Sequence, residues 1–211
     1  MPRSNNQQPT SWEDSAIRAA YERYGVEGFY QRFGDCYRNP HERVIRATLQ
    51  AAVARWALPL DSVLDLACGS GEITLALREL GCAAIDGIDP YTHQAYAERT
   101  GQAAERITFE QIAAGALAGR SYGTIFCSFA LHLVALSRLP ALATQLSLIG
   151  TALLVLTPHK RPQLRPEWGW LCADELLIER VRARYYRRAG VLGLADPRHE
   201  PDPAEHQRRA S

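Results

Sequence analysis

Hydrophobic and polar positions change their spacing near residue 60. Within residues 40–58, apolar side chains recur every three or four positions, which predicts an amphipathic helix. After Ser62, short apolar runs alternate with stretches of helical spacing. The predicted strands are residues 63–67, 83–89, 106–111, 124–128 and 151–157. Strands that alternate with helices predict an α/β fold with a doubly wound, mostly parallel sheet.

The intervening stretches 72–80, 91–100 and 139–148 are predicted to be crossover helices. A later segment, residues 175–189, separates its apolar and basic positions partly by parity. This pattern predicts an added antiparallel edge strand whose outer face bears arginines. No internal repeat interrupts this order.

Composition favours one domain with short additional segments, because a chain of 211 residues with 46% hydrophobic content can bury one sizeable core. Residues 1–11 and 195–211 are polar or proline-broken and are predicted to be disordered tails. Between them we expect an N-terminal helical cap or lid at residues 12–60. The core is then predicted at residues 61–190.

Charge and cysteine usage exclude several classes of function. Lys and Arg total 24 against 23 Asp and Glu, so a net charge of +1 provides no positive field for nucleic acid. The five cysteines form no C-x-x-C pair, which predicts reduced, buried thiols and neither a metal site nor disulfides. Without a signal peptide or a membrane-length apolar run, we expect a cytoplasmic protein with no membrane partner. The oligomeric state stays open.

The stretch VLDLACGSGEI, residues 63–73, ends a predicted strand in a glycine turn that feeds a helix. Such a turn lets the backbone approach a ligand at the carboxyl edge of a sheet. The G-x-G-x-x-G spacing of dinucleotide sites is absent, and Asp65 lies four residues before Gly69. A carboxylate there would repel a pyrophosphate and attract a cation.

These residues resemble the first motif of the class I S-adenosylmethionine (SAM)-dependent methyltransferases, (D/E)-x-G-x-G-x-G, over roughly residues 60–160. Asp65, Gly69 and Gly71 match it, Ala67 replaces the first glycine, and Asp89 ends the second strand where the family places an acid. The resemblance implies a Rossmann-like methyltransferase fold. SAM is then the cofactor and S-adenosylhomocysteine (SAH) the product.

The resemblance also implies roles for individual residues. Asp65 would lie near the methionyl amino group, Asp89 near the ribose hydroxyls, and Pro90 beside the adenine or ribose. Many relatives carry an acid after strand three, where this chain has Ile112 and Ala113, so backbone groups there or the Gln111 amide would hold the adenine. The predicted cofactor-binding residues are Asp65, Ala67, Cys68, Gly69, Gly71, Asp89, Pro90, Ile112, Ala113, Ser128, Tyr30 and Arg38.

The segment ahead of residue 40 is dense in aromatic residues, and in this family such segments commonly cover the cofactor. Tyr30 and Tyr37 are candidates near the transferred methyl group, and Arg38 is a candidate partner of the methionyl carboxylate. Asn39 and Glu42 are predicted to form a capping box for the following helix, with Pro40 at its first position. His41 is left as a candidate that faces the site.

The remaining candidates concern the acceptor. His132 follows strand four and is either a group that acts on the acceptor, as a general base or by orienting it, or a histidine bonded to a backbone carbonyl. His159, Lys160 and Arg161 follow strand five and suit an anionic substrate group, although a solvated basic turn explains them too. The predicted catalytic residues are His132, Tyr37 and His41.

The predicted function is methyl transfer to a small-molecule O, N or C nucleophile, anionic groups included, by in-line displacement. The chain lacks a (D/N/S)-P-P-(Y/F) tetrad after strand four, which argues against nucleobase amines. Two alternatives remain open. One is different SAM chemistry, such as aminocarboxypropyl transfer or cyclisation, and the other is a non-catalytic SAM-binding or regulatory subunit.

Overall fold

A single six-stranded sheet organises the chain in the computed structural model, which describes residues 14–190. Its strands are β1 (Val63–Leu66), β2 (Ile85–Ile88), β3 (Tyr122–Ser128), β4 (Gly150–Thr157), β5 (Trp170–Ile178) and β6 (Val181–Arg188). Their spatial order is β2-β1-β3-β4-β6-β5. Strands β1 to β4 are parallel, and β6 is antiparallel to both of its neighbours. The predicted mostly parallel sheet with antiparallel pairing at its C-terminal side is confirmed.

Within residues 14–190, six α-helices flank the sheet or precede it. They are α1 (Asp14–Phe33), α2 (Glu42–Trp56), α3 (Glu72–Glu79), α4 (His93–Thr100), α5 (Phe109–Ala113) and α6 (Leu139–Ile149). The four helices predicted from apolar spacing correspond to α2, α3, α4 and α6. Helix α1 is kinked at Gly25, whose φ of 70° and ψ of 167° are not helical. The predicted tails lie outside the described residues, 1–11 entirely and 195–211 entirely.

The prediction of a strand at residues 106–111 is wrong. Thr108 accepts a hydrogen bond from the backbone N–H of Gln111, and the Gln111 side chain accepts one from the N–H of Thr108. This capping box starts α5 inside the segment. Only Glu105, just before it, forms an isolated parallel bridge to Ile88. Local capping chemistry therefore overrides an apolar run that was too short to distinguish a strand from a helix.

The C-terminal segment forms a hairpin instead of a single edge strand. Glu179 and Arg180 both have positive φ, 44° and 71°, as in a tight two-residue hairpin turn. Strand β6 is internal, and β5 forms the edge of the sheet. The prediction of outward arginines is wrong for Arg184, which is 1% exposed.

The predicted capping box at the start of α2 is also wrong. The Asn39 side chain accepts a hydrogen bond from the N–H of His41 at 2.9 Å, and the helix begins at Glu42. The N–H of Asn39 donates to Glu72 instead of Glu42. The Glu42 carboxylate pairs with Arg46 and Arg99. Tertiary partners thus replace the local ones that the spacing suggested.

Apolar side chains pack on both faces of the sheet, and a third, smaller cluster lies in the N-terminal segment. One face buries Leu64, Ile125 and Leu142, and the other buries Val63, Ile73 and Phe126. The third cluster is centred on Phe29 and Tyr37. Cys68, Cys82 and Cys127 are buried as predicted, whereas Cys172 is exposed and Cys36 is half-buried. Within residues 14–190, no helix is long and apolar enough to cross a membrane.

Candidate cofactor cavity and active site

A cavity of about 260 Å³ opens where β1, β2 and β3 reach their carboxyl ends, the edge at which doubly wound sheets bind ligands. Residues from the ends of these strands form its floor. Residues from the N-terminal segment cover it. Its lining includes Glu27, Tyr30, Tyr37, Asn39, Asp65, Ala67, Cys68, Gly69, Glu72, Asp89, Pro90, Tyr91, Thr108, Phe109, Glu110, Ser128, Phe129 and Leu133.

The glycine turn after β1 takes its shape from three residues in the left-handed region. Ala67, Gly69 and Gly71 have φ values of 55°, 58° and 90°. The N–H of Cys68 donates to the carbonyl oxygen of Ile88 at 3.0 Å, which ties the turn to β2. Gly71 faces away from the cavity, where a Cβ atom would collide with the Thr100 side chain. The turn is therefore built for close approach at Gly69 and for tight helix packing at Gly71.

Asp65 lies at the floor of the cavity and is 1% exposed. Its Oδ2 accepts hydrogen bonds from the Thr74 backbone N–H at 3.1 Å and from the Thr74 hydroxyl at 2.7 Å. Burial raises the pKa of Asp65 to about 8. The hydrogen bonds from Thr74 oppose that rise, and the nearby carboxylates of Glu72 and Asp89 add to it.

Asp89 connects the turn after β2 with the glycine turn. Its Oδ1 accepts from the N–H groups of Tyr91 and Thr92, both at 2.9 Å, and its Oδ2 accepts from the N–H of Gly69 at 3.2 Å. Three backbone donors thus fix the carboxylate at the rim of the cavity. A ligand hydroxyl that reaches it would meet an oriented acceptor.

Glu72, the first residue of α3, is a site residue that the sequence analysis missed. It lines the cavity and is only 5% exposed. Its Oε1 accepts hydrogen bonds from the Asn39 N–H at 3.2 Å and from the Ser70 hydroxyl, and lies 3.3 Å from Arg99 Nη1. The sequence contains a signal for this residue, because an acidic side chain directly after Gly71 begins α3 at the edge of the sheet where ligands bind. It was interpreted only as the start of a helix.

The lid, which we define as residues 14–39, covers the cavity. Tyr30 and Tyr37 line it, and Tyr30 stacks on Tyr91 with ring centroids 6.2 Å apart. Gly34 is pressed so closely on the backbone of Tyr91 that a Cβ atom would collide with the carbonyl oxygen. Burial raises the pKa of Tyr37. Its phenol therefore stays protonated near neutral pH and can donate a hydrogen bond.

The residues predicted to hold an adenine are not those at the cavity. Ile112 is buried in the core, and neither it nor Ala113 lines the cavity. The Gln111 amide is engaged in the capping box of α5. Thr108, Phe109 and Glu110 take the place expected for them, because the helix that replaces the predicted strand presents its first turn to the cavity.

His132 and His159 lie beside the cavity and not in its lining. Their ring centroids are 4.5 Å apart, and His132 Nδ1 is buried without a hydrogen-bond partner among residues 14–190. Burial, with a smaller contribution from His159, lowers the pKa of His132 to about 4. The neighbouring Leu133 does line the cavity. Lys160 and Arg161 are exposed in the loop after β4.

Two further predicted residues point elsewhere. Arg38 donates from Nη1 to the carbonyl oxygen of Tyr37 at 2.7 Å and does not line the cavity. His41 does not line the cavity but stacks on Phe129, which does, with ring centroids 5.0 Å apart. Phe129 itself has a left-handed φ of 54°. In the described part of the chain, no group of three or more His, Cys, Asp or Glu is placed to hold a metal ion.

Comparison with known proteins identifies the family. The profile of a methyltransferase domain matches residues 63–148. An uncharacterized protein of Schizosaccharomyces pombe is 30% identical over 223 aligned positions, which cover 80% of this chain and 90% of that protein. The chain belongs to the SAM-dependent methyltransferase family.

Solved structures share the fold of this methyltransferase at low identity. Magnesium protoporphyrin IX methyltransferase of Synechocystis PCC 6803 with bound SAM matches with a TM-score of 0.52 and 18% identity, covering 86% of this chain and all of that one. An rRNA methylase of Escherichia coli matches with a TM-score of 0.52 and 14% identity, covering 85% and 78%. These likenesses establish the fold alone.

The cavity of the methyltransferase fits its cofactor, SAM. Buried carboxylates at Asp65 and Asp89 suit an ammonium group and ribose hydroxyls. The Ser128 hydroxyl is buried at the floor and has no hydrogen-bond partner among residues 14–190, which leaves it available to a ligand. Aromatic rings of Tyr30, Tyr37 and Phe129 border the space and suit a cationic sulfur.

Proposed function

We propose that this methyltransferase transfers a methyl group to a small-molecule acceptor, an O, N or C nucleophile, by in-line displacement. The observation that carries the proposal is the position of the lid. Tyr30, Tyr37 and Asn39 line the cavity from above, while the glycine turn lines it from below. An acceptor has to fit beneath these side chains.

Three contacts hold the lid against the floor. The Asn39 N–H donates to Glu72, Tyr30 stacks on Tyr91, and the backbone at Gly34 touches that of Tyr91. Aromatic packing around Phe29, which is fully buried, supports these contacts from behind. A cover held at several points favours a compact acceptor over a polymer, and a net charge of +1 adds no general attraction for nucleic acid.

We assign the cofactor contacts from the geometry of the cavity. Asp65 would face the methionyl ammonium, and Asp89 would accept from the ribose hydroxyls. When bound, SAM supplies a methyl group on a positively charged sulfur. The chain contributes orientation and the exclusion of water, which can supply much of the rate of a displacement.

The acceptor side of the proposal rests on His132 and the loop that follows β4. His132 is neutral at physiological pH because burial lowers its pKa to about 4, so its imidazole can accept a proton or a hydrogen bond. His159 packs against it, and Lys160 and Arg161 continue the same loop. An acceptor with an anionic group could meet these cationic side chains at the rim.

Product analysis tests the proposal. The protein is incubated with methyl-labelled SAM and a cell extract separated into small molecules, RNA and protein. We expect label in the small-molecule fraction and SAH as the second product. The Asp89→Ala variant serves as the control and should transfer little label. Label confined to RNA or protein contradicts the proposal.

The same assay separates the alternatives. Methylthioadenosine in place of SAH would indicate aminocarboxypropyl transfer or a related reaction. If calorimetry shows that SAM binds but no fraction of the extract acquires label, the protein is a non-catalytic subunit.

A further inference from the structure

The described lining of the cavity lacks basic side chains. Within residues 14–190, no lysine, arginine or histidine lines it, and its side-chain donors are uncharged phenol, hydroxyl, amide and thiol groups. Arg38, the residue expected to pair with the methionyl carboxylate, donates to the carbonyl oxygen of Tyr37 and does not line the cavity. A carboxylate that enters with the cofactor must therefore be bound by neutral donors.

Three phenols of the lid form a series that ends at the cavity. The half-buried Tyr21 donates a hydrogen bond from its hydroxyl to that of Tyr30 at 2.8 Å. The rings of Tyr30 and Tyr37 meet edge to face with centroids 5.3 Å apart, and a hydrogen bond from Tyr30 opposes the rise that burial causes in the pKa of Tyr37. Because each hydroxyl has a single proton, this order leaves the proton of Tyr37 for a ligand. Each hydrogen bond accepted along the series also makes the next hydroxyl a stronger donor.

Tyr37 lies at the glycine turn. Its Cε1 is 3.7 Å from the position of a Cβ atom built on Gly69. The Glu72 carboxylate raises the pKa of both Tyr37 and Asp65, so the three side chains lie close together. Arg99 Nη1, 3.3 Å from Glu72 Oε1, offsets the negative charge there. In an α-amino acid the ammonium and the carboxylate share one carbon atom, so a ligand whose ammonium faces Asp65 brings its carboxylate to this same group of side chains.

We propose that the Tyr37 hydroxyl donates a hydrogen bond to the methionyl carboxylate of SAM. Tyr30 and Tyr21 act through Tyr37, as positioning residues that direct its proton into the cavity. Methyl transfer leaves the carboxylate unchanged, so the contact holds SAM and SAH alike. This inference rests on the cofactor contacts proposed above and is independent of the class of acceptor.

Binding measurements on the full chain test this contact. Calorimetry gives the Kd of SAM, of SAH and of decarboxylated SAM, which keeps the ammonium and the sulfonium but lacks the carboxylate. We expect Tyr37→Phe to weaken SAM and SAH about tenfold and decarboxylated SAM less than about twofold, because one hydrogen bond to a charged group is lost. Tyr21→Phe should weaken SAM and SAH about threefold. Tyr24→Phe is the matched control on the same helix, since Tyr24 packs against Phe33 and does not line the cavity, and it should leave all three Kd values unchanged.

Equal weakening of all three ligands by Tyr37→Phe would show that the hydroxyl only supports the lid and would overturn the inference, as would unchanged Kd values for SAM and SAH. If Tyr37→Phe does not fold, Tyr21→Phe decides with the same ligands. A selective loss of SAM and SAH affinity then supports the inference, and a uniform or absent effect contradicts it. A wild type that binds none of the three ligands contradicts the assigned cofactor contacts themselves, and this inference with them.

Discussion

The Arg184 guanidinium, buried on β6, donates a hydrogen bond of 2.8 Å to the carbonyl oxygen of Lys160 in the loop after β4. The same side chain donates to the carbonyl oxygens of His159 and Pro162, and its Nε donates to Glu175 at 2.7 Å. One arginine therefore binds three carbonyl groups of the loop that brings His159 to His132. Through this contact the C-terminal hairpin holds the loop that carries His159.

Arg184→Met should destabilise the fold by about 2 to 4 kcal/mol, because it leaves three carbonyl groups and Glu175 Oε2 without their donor. Urea denaturation measures the change. Arg187→Met is the matched control on the same strand, since Arg187 is exposed, and it should change stability by less than about 0.5 kcal/mol. Similar losses of stability in both variants would argue against a role of the Arg184 hydrogen bonds in holding the loop after β4.

Asp65 should make the stability of the ligand-free protein fall as pH rises. Its pKa is raised by burial from 3.8 to about 8, so the folded state retains a proton that the unfolded chain releases. The stabilising contribution is complete below about pH 4 and is lost as pH rises through about 8. Asp65→Asn should flatten this dependence, which thermal unfolding at pH 6 and pH 9 can check.

The same carboxyl couples SAM binding to a proton. A cation placed against Asp65 lowers its pKa, so binding near pH 7 should release a proton to the buffer. Calorimetry in two buffers of different ionisation enthalpy measures the release. Wild-type enthalpies that agree in both buffers would show that Asp65 is already ionised.

Ala67 is a non-glycine residue in the left-handed region, with a φ of 55°. Replacing it with glycine should stabilise the fold by about 1 kcal/mol, because the Cβ atom is disfavoured there. Ala57, at the end of α2 with a φ of 46°, is a control in the same conformation. Both glycine variants should raise the urea midpoint, and only Ala67→Gly should alter the Kd of SAM. A lower midpoint for both would mean that the entropy of the unfolded chain dominates.

Gly34→Ala should loosen the lid, since the new Cβ atom would collide with the Tyr91 carbonyl oxygen. We expect weaker SAM binding with little change in the global unfolding midpoint. Gly28→Ala is the control, because a Cβ atom there meets only the Tyr24 side chain at an ordinary 3.6 Å. Calorimetry compares the two variants, and equal Kd values would exclude a role for this contact.

His132 should destabilise the protein in acid. Its pKa is lowered from 6.5 to about 4, first by burial and then by His159, so the unfolded chain takes up the proton earlier as pH falls. Stability due to the neutral imidazole is present above about pH 6.5 and is lost toward pH 4. His132→Gln should lose less stability than the wild type between pH 7 and pH 5, as urea midpoints can show.

Periodicity and turn chemistry were sufficient for the parallel core. Helices α2 and α3 and the glycine turn depend on neighbours in the sequence, so spacing could predict them. The direction of a long side chain depends on what folds over it. Arg184 was expected in solvent, and Glu72 was interpreted as a helix start, because their partners in the loop after β4 and in the lid are distant in sequence. Ile112 and Ala113 lie off the cavity for a related reason, since the capping box at Thr108 starts a helix where a strand was predicted.

The aromatic cluster around Phe29 and Tyr37 packs separately from the two clusters on the sheet. Opening the lid therefore breaks its contacts to Glu72 and Tyr91 and leaves the packing of the sheet intact. The free energy of opening and the free energy of global unfolding are then two independent quantities. Substitutions in the lid can set how quickly molecules enter and leave, while the temperature at which the domain melts stays the same.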